Sequence, residues 1–205
     1  MEDNNIITGE REKQRMKVVF IRTNVLFPHQ ILNFELGKDN EILRVIEDAR
    51  AKNEDVLVIT EKNGNVNKSL PNDAYKVGTT AKVTQILRLP NDTARAIVRG
   101  ERRMMVEEYI SVAPFVATVT PYGEDAAADD AETKALINLI KEECGRTLQN
   151  SAKFNKDIIS QADIINVDRL ICELVYYLFN NDADRQRILE IYSKRDQLEA
   201  IYAKL

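Results

Sequence analysis

The first sustained apolar run, Val18-Val19-Phe20-Ile21 after Lys17, is β-branched and aromatic and predicts a buried strand. Phe27-Pro28 then turns the chain, because proline fixes φ and offers no N–H, into a second apolar stretch over residues 31–36. From Asp39 the period changes. Ile42, Leu43, Ile46 and Ala49 recur at three- and four-residue steps, one face of a helix ending near Asn53, with Asp39 or Asn40 placed to cap it. Strand signals return at Val56-Leu57-Val58-Ile59, and the Asn63-Gly64 pair supplies the positive φ angles of a tight turn. After a polar loop to Pro71, Gly78 opens a long strand over 79–89, which Pro90-Asn91-Asp92 reverses into 93–98 as a hairpin. Residues 102–110 and 115–120 make two further strands. Seven strand-like runs and one helix predict a compact, mostly antiparallel sheet or partial barrel.

The pattern shifts at Gly123-Glu124-Asp125-Ala126-Ala127-Ala128-Asp129-Asp130, which is acidic, alanine-rich and without strand character, so a domain boundary is placed there. Beyond it every apolar pattern is helical: Leu136, Leu139 and Ile140; then Leu170, Ile171, Leu174, Val175 and Leu178; then Ile188, Leu189 and Tyr192. Ser193-Lys194-Arg195-Asp196 reads as a capping box that starts a last helix through Leu198, Ile201, Tyr202 and Leu205. No stop signal follows, so the chain is expected to be cut mid-helix, as an excised domain would be. Three regions result: a flexible tail over 1–16, a β-rich unit over 17–122 and an all-helical unit over 123–205, an α+β class.

Composition narrows the function. The 205 residues, 44% hydrophobic and 30% charged with 7 Gly and 5 Pro, describe a folded, helix-rich protein long enough to bury a core. A net charge of -4 gives no general attraction to nucleic acid or anionic lipid. Cys144 and Cys172 lie in helical patterns without CxxC spacing and read as reduced core residues. The first 17 residues lack the apolar core of a secretion signal and no stretch has the length of a membrane span, so a cytoplasmic location is expected. The Asn-x-Ser/Thr matches at Asn67 and Asn91 are then chance occurrences.

Motifs for covalent chemistry are missing from the sequence. Gly37-Lys38 is followed by Asp39 and has no glycine five positions earlier, so it is no P-loop, and GxSxG does not occur. With His29 the single histidine, a two-histidine metal site is excluded and a Ser/His/Asp relay is not expected; His29 reads as a surface loop residue. No catalytic, cofactor-binding or metal-binding residue is assigned. Arg99-Gly100-Glu101-Arg102-Arg103 is the best nucleic-acid candidate, but strand alternation splits Arg102 from Arg103 and Glu101 cancels charge, so a solvated strand end is preferred.

Four blocks in order, 19–28 (Val-Phe-Ile-Arg-Thr-Asn-Val-Leu-Phe-Pro), 75–83 (Tyr-Lys-Val-Gly-Thr-Thr-Ala-Lys-Val), 87–93 (Leu-Arg-Leu-Pro-Asn-Asp-Thr) and 98–103 (Val-Arg-Gly-Glu-Arg-Arg), resemble the amino-terminal domain of Lon proteases. Asp184-Arg185-Gln186-Arg187-Ile188-Leu189-Glu190 and Arg195-Asp196-Gln197-Leu198-Glu199 are similar to the family's segment leading towards its ATPase module, and the resemblance spans about 17–205. Phe20 stands where the family usually has proline, and His29 replaces a commonly small residue. The resemblance implies a β-unit similar to PUA-like partial barrels. It also implies a non-catalytic, substrate-selecting and assembly-stabilising part of a homohexameric ATP-dependent protease with serine–lysine peptidase sites. The implied partners are unfolded or damaged proteins, the ATPase and peptidase modules of the parent chain, and further copies in a homo-oligomer. No membrane, cofactor or nucleic acid partner is implied. A stand-alone PUA-like module binding RNA or a small ligand is the alternative. Recognition of unfolded chains calls for adaptable apolar contacts, for which Phe27, Pro28, Ile31, Met104 and Met105 are the candidates.

Overall fold

The computed structural model describes residues 12–37, 41–62, 71–89, 93–123, 129–147, 156–162 and 167–205. The expected cap at Asp39 or Asn40, the turns at Asn63-Gly64 and Pro90-Asn91-Asp92, Asn67 and residues 124–128 of the boundary segment lie outside them. Strands β1 (Gln14–Ile21), β2 (Ile31–Gly37), β3 (Val56–Thr60), β4 (Val77–Arg88), β5 (Thr93–Val112) and β6 (Phe115–Pro121) form one sheet, with helix α1 (Glu41–Lys52) between β2 and β3. Helices α2 (Ala131–Thr147), α3 (Lys156–Ser160), α4 (Val167–Leu178), α5 (Asp182–Glu190) and α6 (Lys194–Tyr202) follow. The class is α+β, as the change of hydrophobic period implied.

The sheet order is β2-β5-β4-β3-β1-β6, and β5 also pairs with β6, which closes a partial barrel and leaves β2 as a flap on β5. Only β1 and β3 run parallel; the other pairings are antiparallel. Two expectations are corrected. The supposed tail already forms strand at Gln14-Arg15-Met16, which pair with Val119, Thr118 and Ala117. Backbone hydrogen bonds to β6 order them, with Met16 alone packing on the Met104 side of the sheet, and one apolar residue makes no periodicity. The runs 93–98 and 102–110 are one strand of 20 residues, because Arg99-Gly100-Glu101 does not break it. Gly100 serves close approach: an added Cβ would lie 2.2 Å from the carbonyl oxygen of Phe27.

Alternation along two strands explains why their sequences read as unbroken apolar runs. Val19 and Ile21 of β1 and Val56 and Val58 of β3 pack with Leu43, Ile46 and Ala49 of α1, while Val18, Phe20, Leu57 and Ile59 pack with Met104, Ala117 and Val119 on the other side. Both faces are buried, so no polar residue is called for at alternate positions.

A third core joins the helices to the sheet. Leu170, Ile171, Leu174 and Val175 of α4, Ile188 and Leu189 of α5, and Leu198 and Ile201 of α6 pack with Val25, Phe27 and Val77. The stripe of α2 is corrected at one position: Thr133, Ile137, Ile140 and Cys144 are buried at four-, three- and four-residue steps and Leu136 packs at their edge, whereas Leu139 is exposed. Helix α6 starts where the capping box put it: the Ser193 hydroxyl accepts from the Asp196 N–H at 3.0 Å.

The contrasting surroundings of two glycines give a first prediction. Gly100→Ala should destabilise the protein by about 1–3 kcal/mol through overpacking against Phe27. Gly145→Ala, in α2 with nothing within 4 Å of its added Cβ, should instead stabilise by up to about 1 kcal/mol. Urea unfolding midpoints of the two variants should move in opposite directions.

Candidate functional site

Of the five candidate contact residues, the structure leaves Ile31 and Pro28 at the surface. Ile31 is 66% exposed at the start of β2, and Pro28 is half-buried in the preceding turn. Phe27 and Met104 are corrected to core residues, 2% and 0% exposed. Phe27 meets the ring of Tyr176 edge-on with centroids 6.4 Å apart, and its N–H donates to Gln30 Oε1 at 2.9 Å. Met104 points into the barrel with Val18, Phe20, Leu57 and Ile59, while its neighbour Met105 faces the helices and is half-buried there. Strand alternation thus separates the two methionines that adjacency in sequence had grouped.

The turn is held from below. The three residues Val25-Leu26-Phe27 send side chains alternately to the core under α2–α6 and the core under α1. Tyr176 donates its hydroxyl to the Val25 carbonyl, and Thr79 Oγ1 donates to that of Leu26 at 2.5 Å. The N–H of Asn24, a residue with φ +71, donates to Asp182 Oδ2 at 2.8 Å. His29 also takes a left-handed φ, +64, and its N–H donates to the Gly100 carbonyl at 2.9 Å. Its ring is half-exposed, in keeping with a surface loop, with Nε2 3.9 Å from Asp168 Oδ2. A cavity of about 390 Å³ lies beside it, lined among others by Pro28, Arg102, Tyr122, Asp168 and Lys194.

That cavity sits on a polar joint between sheet and helices. Arg103 is buried, which corrects its reading as part of a solvated strand end. Its guanidinium donates to the carbonyls of Leu189 (3.0 Å), Ile191 and Tyr192 (2.9 Å), the orphan acceptors at the C-terminal end of α5. Gly123, at φ +87, passes so close that a Cβ would stand 2.2 Å from Arg103 Nη2. Tyr122 donates its hydroxyl to the Glu190 carbonyl at 2.7 Å, and Gln186 Nε2 donates to that of Val77 at 2.9 Å. Buried Lys194 pairs with Asp168. Sequence reading missed Arg103, Tyr122 and Gln186; the signal available was alternation, which sets Arg103 on the face opposite exposed Arg102. Arg99 donates twice to Glu101, at 2.9 and 2.8 Å, so the run presents no joined basic surface.

Burial pushes the Cys144 thiol up to about 11 and that of Cys172 to about 12, which keeps both protonated and poor nucleophiles at neutral pH. Among the described residues no group of three or more His, Cys, Asp or Glu could hold a metal ion. No helix among them is long and apolar enough to cross a membrane. On the turn, fixed from both sides, an exposed isoleucine and a half-buried proline reach the surface; Ile110, Val112 and Leu139 are exposed elsewhere.

Residues 15–205 match the family described as the ATP-dependent protease La (LON) substrate-binding domain. The chain is 26% identical over 193 residues to the Lon protease of Clostridium acetobutylicum and 29% identical over 196 residues to that of Clostridioides difficile. Each match covers 93% of this chain and 25% of the relative, so the chain spans about a quarter of the length of these curated relatives. Its fold is similar to the N-terminal domain of Mycobacterium avium complex Lon protease, at TM-score 0.70 and 21% identity over 93% of this chain and 97% of that one. A Lon N-terminal domain protein from Xanthomonas campestris is similar at TM-score 0.64 and 15% identity, over 93% and 98% of the two chains.

Two measurements check this geometry. Arg103→Leu should cost on the order of 2–5 kcal/mol in urea unfolding, because it leaves the α5 carbonyls buried without a donor, and Arg103→Lys should recover part of that loss. A thiol-specific disulfide reagent should modify Cys144 and Cys172 slowly in the native protein and rapidly in urea.

Proposed function

The chain belongs to the family of ATP-dependent protease La (LON) substrate-binding domains, and on that premise we propose that it selects unfolded or damaged proteins for a Lon-type protease. The match of residues 15–205 to a substrate-binding family carries this reading. The work is binding. ATP hydrolysis and serine–lysine peptide cleavage belong to further modules of a longer protein, in which copies of this domain assemble as a homo-oligomer in the cytoplasm. The units 17–122 and 123–205 act together, the first presenting the contact surface and the second leading towards the ATPase.

A native protein hides the apolar side chains that an unfolded one exposes, so a selector needs accessible apolar contacts that do not demand one sequence. Ile31 and Pro28 on their fixed turn supply such contacts, and Met105 adds an adaptable side chain if the adjoining helices shift. One domain binds weakly; several copies in an assembly raise the effective concentration and so the avidity. Arg99 paired with Glu101, and Arg103 turned inward, weigh against the RNA-binding alternative.

The test is a titration of a reduced, carboxymethylated protein and of the same protein folded, across a salt series. The unfolded form should bind in preference, with affinity that survives moderate salt, and Ile31→Asp should weaken it by up to about tenfold. ATPase and peptidase activities of the chain should stay at background. Steeply salt-sensitive RNA binding that is lost with Arg99→Ala and Arg102→Ala, without preference for the unfolded protein, would contradict the reading.

A further inference from the structure

We propose that the free edge of β2 takes up an extended segment of client polypeptide as an added strand; this deepens the substrate-binding reading and rests on it. Among the described residues β2 is hydrogen-bonded to β5 alone, whereas each of the other five strands has at least two neighbours. The side of β2 that faces away from β5 follows from two hydrogen bonds. Gly100 N–H donates to the Gln30 carbonyl at 2.8 Å, and Leu89 N–H to the Thr93 carbonyl at 2.9 Å. In the registers Ile31↔Arg99 and Arg88↔Ala94, both place the N–H and C=O of Ala94, Ala96 and Val98 towards β2. Their partners Leu36, Phe34 and Leu32 therefore spend their backbone groups on β5. Those of Ile31, Asn33 and Glu35 point to the open edge.

The strand is a fixed template. Leu32 and Leu36 are buried and Phe34 is half-buried against the core under α1, so a slip of one residue would expose all three. Beside the edge runs a groove of about 440 Å³, lined among others by Ile21, Arg22, Asn24, Phe34, Glu35 and Ile42. Its two charged groups cancel, and each has an ion-pair partner: Arg22 with Glu61 at 3.5 Å and Glu35 with Arg95. A groove without net charge does not complement a phosphate or a strongly charged peptide. It complements a neutral row of alternating N–H and C=O groups, the one feature every extended polypeptide shares. Folded proteins consume those groups in their own helices and sheets, and unfolded ones present them, so pairing at this edge selects for unfolding and tolerates any sequence without proline at the paired positions. Ile31, exposed at the head of the same strand, places an apolar contact beside the first outward backbone pair.

Asn33→Pro tests this, because it removes an outward N–H and obstructs pairing while sparing the hydrogen bonds to β5. The probes are a dye-labelled heptapeptide of alternating valine and threonine, the same peptide N-methylated at alternate amides, and the reduced, carboxymethylated protein. The expected result is binding of the heptapeptide and the unfolded protein, each weakened at least about tenfold by Asn33→Pro and within about twofold of the parent for Asn33→Ala. N-methylation in the phase that faces β2 should abolish heptapeptide binding to the parent protein, a readout that holds even where the proline variant fails to fold. Equal binding of the methylated and unmethylated peptides, with unfolded-protein binding intact in a folded Asn33→Pro variant, would overturn the edge proposal and leave the substrate-binding reading standing. Self-association of the parent lost in Asn33→Pro, without effect on client binding, would assign the edge to a second copy and also overturn it. No binding of the unfolded protein by the parent would overturn the reading itself, and the edge proposal with it.

Discussion

One buried guanidinium holds the two halves of this fold in register. Arg103 leaves β5 on its inner side and donates to three carbonyls at the end of α5. These acceptors have no partner inside their own helix, and a guanidinium without them would be a buried charge without compensation, so each side requires the other. The demand propagates. Gly123 has no room for a side chain beside Arg103, Tyr122 reaches the Glu190 carbonyl next to the same helix end, and Gln186 ties α5 back to Val77. One side of this polar joint rests on the apolar core of Val25, Phe27, Leu170, Leu174 and Leu189, which strengthens the hydrogen bonds that face it.

The same joint positions the proposed contact surface. Val25-Leu26-Phe27 is clamped between the two cores, its carbonyls accepting from Tyr176, from Thr79 and from the Gln30 N–H at 3.2 Å. The chain that emerges, Pro28 to Ile31, is short and anchored at both ends, so the apolar side chains it exposes cannot collapse back into the protein. Helices outside the proposed contact surface thus help decide where Ile31 and the open edge of β2 stand. A substrate-binding surface that must meet many sequences gains from such rigidity, since little ordering entropy is lost on each encounter.

Much of the architecture was legible in the sequence, for physical reasons that also mark where reading stopped. The β-branched runs at 18–21 and 56–59, the three- and four-residue steps of α1 and α4, and the Ser193 capping box all report local constraints, and each element stands where its pattern put it. Gln14 to Met16 were read as tail because backbone pairing with β6 needs no apolar pattern and Met16 by itself makes none. Gly100 looked like a break between strands, since a close approach of backbone and a turn use the same residue. In the candidate site, Ile31 and Pro28 were named for their place on the turn after the first strand, and both stand at the surface. Phe27 and Met104 were not, because a core position and a binding position call for the same side chain and only the packing distinguishes them. The burial of Arg103 depends on carbonyls 86 to 89 residues further along the chain, beyond the reach of any local pattern.

The central claim is that sheet and helices form one cooperative body through this joint. Native-state amide hydrogen exchange across a urea series tests it most directly, following Leu57 and Val58 in β3 against Leu170 and Leu174 in α4. The account predicts that both sets open with the same free energy and the same urea dependence, as parts of a single global transition. Exchange of the α4 amides at a lower free energy and with a smaller urea dependence than β3 would show that the helices unfold on their own, and would contradict it.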